Sequence, residues 1–175
     1  LCLNNTLDQT QKEVDLMTGV NIKGTYLVGK YCLKYLKNSD HPHLLSIAPP
    51  LDMINNSEWW TDHMYYSMSK YNMSLMTKMW NYEFKNIACN TLWPRTTINT
   101  APVRNILGGE EMINISRDVE IVGDAAKHII LSDPNICNGK NFIDDEVIVS
   151  NGGCVEDYKV NEKINEKDLM PDFFC

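Results

Sequence analysis

Short runs of strand character alternate along this chain with longer segments of helical periodicity. The strand-like runs cover residues 43–48, 87–92 and 142–149, and the helix-like segments cover residues 8–37, 63–84 and 118–131. Parallel strands need a crossover of about a dozen or more residues between them, which a helix usually supplies. The alternation of strands and helices therefore predicts an α/β fold with a parallel sheet. Its β-α-β crossovers are expected to be right-handed.

The two long helical segments carry apolar stripes. Asp8 or Thr10 can cap the first segment. Each glycine inside this segment costs about 1 kcal/mol of helix stability relative to alanine. We therefore expect another backbone to approach closely at these glycines. These glycines are Gly19, Gly24 and Gly29. The second segment has two adjacent stripes, which are Tyr71, Leu75 and Met79 and then Met76, Trp80 and Phe84. We expect the two helices to pack together.

Tyr66 and Lys70 stand four residues apart where the second long helix begins, so they share one helix face. An ammonium there can lower the pKa of a neighbouring phenol from about 10 toward neutrality. Such a phenol can donate and accept a proton near pH 7. A surface Tyr and Lys on an amphipathic helix produce the same spacing, so the pair needs support from other motifs.

Two further motifs flank this pair. V-N-I-K-G-T occupies residues 20–25, and N-T-L-W-P-R-T-T-I-N-T occupies residues 90–100. In this order and at these separations, the three elements resemble the short-chain dehydrogenase/reductase family over about residues 3–149. The resemblance implies an NAD- or NADP-dependent oxidoreductase that interconverts an alcohol and a ketone, with a small, lipid-like molecule as substrate.

The resemblance also assigns roles to residues. Tyr66 corresponds to the acid/base that exchanges a proton with the substrate oxygen, and Lys70 to the residue that lowers its pKa and bonds the nicotinamide ribose. Asn21 corresponds to the residue that kinks its helix and holds a water in the proton relay. The remaining candidate cofactor-binding residues match positions lining the nicotinamide and pyrophosphate, and they are Pro94, Ile98 and Thr100.

The chain departs from the family pattern at two places. The family's substrate-orienting Ser should follow the first strand-like run, but Ala48 and Pro49 stand there, and neither Ser46 nor Ser57 is well placed to replace it. Losing one such donor costs roughly 10²–10³ in rate. Arg95 replaces the glycine of the family's Pro-Gly, where it could favour a phosphate.

A glycine-rich turn of the form G-x-x-x-G-x-G does not occur in this sequence. We therefore expect the C-terminal half of a Rossmann-type doubly wound sheet, with the N-terminal nucleotide-binding half absent. Residues 1–150 would be a partial dehydrogenase domain, and residues 151–175 a loosely ordered extension. The alternative to an enzyme segment is an inactive truncated fragment or an interaction module. Either would allow a homo-oligomer through the two long helices.

Composition limits the partners. A net charge of −7 and a pI near 5.0 argue against a nucleic-acid or anionic-membrane partner, and no apolar run is long enough to span a bilayer. The six cysteines show no C-x-x-C spacing, which favours reduced intracellular thiols without a metal. His41 and His43 lack a third ligand nearby. The family resemblance implies a peroxisome or mitochondrion.

Overall fold

The computed structural model describes residues 2–55 and 62–174. Three parallel strands form one sheet in the order β1 (His43–Ile47), β2 (Ala88–Trp93) and β3 (Asn141–Ile143). The α-helices are α1 (Gln11–Met17), α2 (Thr25–Leu36), α3 (Met64–Glu83), α4 (Gly109–Asn114), α5 (Glu120–Leu131) and α6 (Asp144–Ser150). The predicted α/β fold with a parallel sheet is confirmed.

The first long helical segment is continuous but not uniform. Thr10 begins it with a capping box, in which its hydroxyl accepts from the Glu13 amide and the Glu13 carboxylate accepts from the Thr10 amide. A π-helical segment, Thr18–Gly24, separates α1 from α2. A second π-helical segment, Val103–Leu107, precedes α4.

The chain divides into two units. The first holds the described residues up to Thr91, residues 132–141 and Phe174. The second holds residues 92–131 and 142–173. Each unit is described below by itself.

The core of the first unit joins α2, α3 and the sheet. Its buried members are Leu33, Trp80, Ile87 and Cys89, and Leu36, Leu44, Met76 and Phe84 pack against them. The predicted packing of the two long helices is therefore confirmed. Of the two stripes on α3, the one containing Trp80 faces this core, whereas Leu75 and Met79 are 50% and 64% exposed.

The third strand is shorter than predicted. Residues 142–149 were expected to be extended, but β3 ends at Ile143 and helix α6 follows at once. Three acidic residues open this helix, where carboxylates are favoured by the helix dipole. The Asp144 carboxylate also accepts from the Asp145 amide, at 2.8 Å. A short apolar run does not distinguish strand from helix by its periodicity.

The C-terminal segment also differs from the expected loose extension. Short 3₁₀ turns lie at Val155–Tyr158 and Glu166–Asp168. Backbone hydrogen bonds tie the segment to earlier parts of the second unit: Thr97 donates to the Met170 carbonyl at 2.9 Å, and Asp172 donates to the Arg95 carbonyl at 3.0 Å. The placement of a domain boundary at residue 150 stays a prediction.

Candidate active site

Helix α3 presents Tyr66 and Lys70 from its first two turns. Both side chains are half-buried, and Ser67 and Ser69 between them are fully buried. The Lys70 ammonium donates to the carbonyl oxygen of Ile47 at 3.0 Å. Because Ile47 is the last residue of β1, Lys70 lies at the carboxyl end of that strand, where open α/β sheets bind their ligands.

Asn21 lies in the middle of the π-helical segment that interrupts the first long helix. Its side-chain amide donates to the Ser69 hydroxyl at 2.9 Å, and that hydroxyl donates to the Tyr66 carbonyl at 2.8 Å. Asn21 is thus linked through one side chain to the backbone of Tyr66. Single-turn π-helical insertions in α-helices occur often at functional sites.

Tyr65, the neighbour of Tyr66, has a different environment. Its phenol and the Thr18 hydroxyl lie 2.5 Å apart, and that hydroxyl also donates to the Val14 carbonyl. This contact ties the start of α3 to the first helical segment. Four residues after Tyr65 the sequence has Ser69 and not a cation, whereas Tyr66 has Lys70.

Phe174 was not anticipated from the sequence. It is 1% exposed and its ring stacks on that of Tyr66, with centroids 6.5 Å apart and an interplanar angle of 13°. The ring also meets Tyr71 edge-on at 5.1 Å. Phe174 adopts a φ of 72°, a left-handed conformation that is rare for a bulky residue. No local sequence signal links this residue to a tyrosine more than a hundred positions earlier.

The predicted departure at the end of β1 is visible in the structure. Ala48 is fully buried and has no side-chain donor, and the Pro49 carbonyl accepts from the Ser74 hydroxyl at 2.6 Å. Ser46 is buried, and its hydroxyl accepts from Thr77 at 2.7 Å. The other serine considered from the sequence, Ser57, lies outside the described residues.

The second unit holds the other three candidates, which are Pro94, Ile98 and Thr100. Pro94 and Ile98 are buried, and Ile98 forms a parallel bridge with Arg117. The Thr100 carbonyl accepts from the Arg104 amide at 3.0 Å. The structure thus gathers Asn21, Tyr66 and Lys70 in one unit and these three residues in the other.

Arg95 does not present an uncompensated cation. Its Nε lies 3.0 Å from the Asp145 carboxylate, and its Nη2 lies 2.5 Å from the Glu146 carboxylate. Its backbone amide donates to Asp144 at 2.8 Å. The interpretation of Arg95 as a phosphate-favouring residue is weakened, because two carboxylates already balance its charge.

Asp144 and Arg117 form a buried charged centre that the sequence did not indicate. Arg117 is 1% exposed, and its Nη2 pairs with Glu166. Burial raises the pKa of Asp144 to about 6, against the opposing effects of the amide donors of Arg95 and Asp145 and of the Arg117 charge. Burial likewise lowers the pKa of Arg117, against the opposing attraction of Asp144 and Asp145.

The described residues contain neither a metal-binding cluster nor a membrane-spanning helix. Residues 2–55 and 62–174 bring together no three His, Cys, Asp or Glu side chains that could hold a metal ion. His41 and His43 do lie close, with ring centroids 4.7 Å apart. In the same ranges, no helix has both the length and the apolar character needed to cross a membrane.

No family model matches the chain. It is 42% identical over 175 residues to hydroxysteroid dehydrogenase-like protein 2 of Homo sapiens and 39% identical over 173 residues to that of Danio rerio. These alignments cover 99% and 98% of this chain, and 40% of the length of each relative. The chain therefore spans less than half of the curated relatives that it matches.

Solved structures give the same result. A crystal structure of a putative dehydrogenase from Xanthomonas campestris superposes with a TM-score of 0.90 at 34% identity, covering 100% of this chain and 63% of that chain. A short-chain dehydrogenase from Mycobacterium thermoresistibile gives 0.87 at 32% identity, with 99% and 60% covered. An angucycline C-6 ketoreductase with bound NADP shares the fold at a TM-score of 0.66 and 14% identity, covering 82% of this chain and 57% of that chain. The chain is therefore similar over its whole length to short-chain dehydrogenases, and its fold corresponds to the C-terminal half of a Rossmann-type α/β fold.

Proposed function

We propose that this chain supplies the proton-transfer half of a nicotinamide-dependent oxidoreductase that interconverts an alcohol and a ketone. The observation that carries the proposal is the placement of Lys70 at the carboxyl end of β1 beside Tyr66, with Asn21 linked to the same turn of α3. Tyr66 would exchange a proton with the substrate oxygen. Lys70 would favour the ionised phenol, and Asn21 would fix the turn that holds it.

We propose that the candidate residues hold the nicotinamide and ribose end of NAD or NADP. A lysine ammonium has three N–H donors that ribose hydroxyls can accept from, and the Lys70 ammonium lies at the carboxyl end of β1. By the family resemblance alone, Pro94, Ile98 and Thr100 are proposed to line the nicotinamide and pyrophosphate. When bound, the cofactor supplies or accepts the hydride. This sequence contains no glycine-rich turn for the pyrophosphate.

The substrate class follows only from likeness. The relatives are called hydroxysteroid dehydrogenase-like, and this name supports a lipid-like alcohol or ketone as substrate. A peroxisomal or mitochondrial location is proposed on the same resemblance, and fluorescence microscopy of the tagged protein tests it.

The test uses this chain joined to the nucleotide-binding half of a homologous dehydrogenase. Tyr66→Phe should abolish turnover of a model ketone while sparing cofactor affinity, because only the proton donor is removed. Lys70→Ala should weaken both, because the ammonium is also proposed to hold ribose. Tyr65→Phe is the matched control and should retain turnover. Wild-type turnover in Tyr66→Phe would remove Tyr66 from its role.

An inactive fragment or interaction module is the second candidate. Ala48 and Pro49 favour it, since neither side chain can donate to a developing oxyanion. Calorimetric titration of the 175-residue chain with NADH and NADPH distinguishes the candidates for this chain alone. We expect no binding because the glycine turn is missing from the sequence, and micromolar binding of either cofactor would contradict that expectation.

A further inference from the structure

The segment that follows β2 in the second unit has no regular structure of its own. Residues 94–100, called here the cofactor segment, contain Pro94, Ile98 and Thr100 and lie outside the helices and strands. A binding segment of this kind keeps its shape only through contacts with residues elsewhere in the chain. Two buried charged residues provide such contacts.

Asp144 holds the start of the cofactor segment. Its side chain is fully buried at the beginning of α6. One of its oxygens, Oδ1, accepts from the amides of Arg95 and Asp145, each at 2.8 Å. Hydrogen bonds from N–H groups to a carboxylate are stronger than those between neutral groups. Because Arg95 directly follows Pro94, the carboxylate fixes the peptide bond next to the first candidate cofactor-lining residue.

Arg117 holds the middle of the segment through its backbone. Its amide donates to the Thr97 carbonyl at 3.0 Å, and its carbonyl accepts from the Asn99 amide at 2.8 Å. These two bonds enclose Ile98. The Arg117 side chain is 1% exposed, and its charge attracts that of Asp144. The two residues that hold the segment are therefore also coupled to each other.

Stability alone does not account for an acid at position 144. Oδ2 of Asp144 and Nε and Nη1 of Arg117 form no hydrogen bond with the described residues. A buried polar group without a partner costs folding free energy. Burial also raises the pKa of Asp144 to about 6, so its ionised form destabilises the fold near pH 7. The backbone that the carboxylate holds is the better explanation.

We propose that Asp144 is a positioning residue for the cofactor segment and acts through the Arg95 amide. This inference rests on the proposed function, because only that function gives the segment a ligand. The carboxylate touches neither cofactor nor substrate. It holds the peptide between Pro94 and Arg95 in one conformation before the cofactor binds, so that less ordering remains to be done on binding. Its loss weakens cofactor affinity and leaves proton transfer by Tyr66 unchanged.

The first experiment measures NADH and NADPH affinity and turnover in this chain joined to the nucleotide-binding half of a homologous dehydrogenase. Asp144→Ala removes the acceptor, whereas Asp144→Asn keeps one carbonyl oxygen. Glu146→Ala is the matched control, because Glu146 begins the same helix but contacts the Arg95 guanidinium and not its amide. Circular dichroism checks that the variants keep the helix content of the wild type.

We expect Asp144→Ala to bind the cofactor about tenfold less tightly, which corresponds to about one hydrogen bond, with kcat nearly unchanged. Asp144→Asn and Glu146→Ala should stay within about threefold of the wild type. A loss in either of these two that equals the loss in Asp144→Ala overturns the inference. So does a fall in kcat at unchanged affinity. Absence of binding by the wild-type joined protein overturns the proposed function, and the inference falls with it.

The second experiment needs no cofactor. Backbone hydrogen exchange, followed by NMR in the 175-residue chain, reports the Arg95 amide directly. The wild type should protect this amide, and Asp144→Ala should make it exchange faster, whereas Glu146→Ala should not. Equal exchange in the wild type and Asp144→Ala overturns the inference while the proposed function stands. If Asp144→Ala does not fold, the wild type decides, because rapid exchange at Arg95 contradicts the hydrogen bond on which the inference depends.

Discussion

Gly29 faces Trp80 across the contact between α2 and α3, and this contact leaves no room for a methyl group. A Cβ at position 29 would lie 2.1 Å from Cη2 and 2.5 Å from Cζ2 of the Trp80 ring. Carbon atoms in contact settle at about 3.5–4.0 Å. In Gly29→Ala, the indole or one of the helices must therefore move by roughly 1 Å or more.

Two opposing effects decide the stability of Gly29→Ala. Replacing glycine by alanine inside a helix normally gains about 1 kcal/mol. Overpacking of a core costs about 1–3 kcal/mol, and the rigid Trp80 ring, only 7% exposed and packed on Leu33 and Ile87, places the cost at the upper end. We therefore expect a net loss of about 2 kcal/mol, or a fall in Tm of about 4–8 °C for a chain of this size.

The assay is urea unfolding followed by far-UV circular dichroism, with Gly123→Ala as the control. Gly123 lies in α5, and a Cβ there would meet no heavy atom within 4 Å. It should therefore gain up to about 1 kcal/mol. Combining Gly29→Ala with Trp80→Leu removes the clash, so the two effects should not add. If Gly29→Ala is as stable as the wild type while Gly123→Ala gains stability, the steric reasoning is wrong.

Three other predictions follow from buried or exposed side chains. Asp144 has a raised pKa in the folded state, so the free energy of unfolding should fall by about 3 kcal/mol as pH rises from about 4 to 6, and Asp144→Asn should flatten this slope in unfolding titrations. The exposed stripe of α3 is proposed as a contact with a second copy: Met79→Glu should weaken self-association in sedimentation velocity, whereas Trp80→Glu should unfold the chain. Phe174→Ala should cost about 3 kcal/mol in the same unfolding assay, and Phe174→Leu clearly less, because the site is fully buried; equal values for the two would contradict aromatic packing on Tyr66.

The sequence predicted the elements whose signals are local. Helix α3 has a full set of apolar positions and begins near the expected residue, and Thr10 caps the first helix as one of two candidates. The π-helical segment around Asn21 has no periodicity signal of its own, and only the family resemblance indicated an irregularity there. The run from residue 142 to 149 was wrongly assigned to a strand throughout. Its short length did not distinguish a strand from a helix.

Arg95 shows why part of the candidate site was beyond sequence reasoning. As an isolated departure from the Pro-Gly of the family, it indicated a phosphate contact. In the structure, its charge is balanced by Asp145 and Glu146, and its amide is held by Asp144. The same three acidic residues begin helix α6, so one group of carboxylates both contacts Arg95 and starts the helix. About fifty residues separate them, and no local pattern joins them. Tyr66 and Lys70 could be paired from the sequence because residues four apart on a helix are neighbours. A contact between residues that are distant in the sequence can be recognised only in the structure.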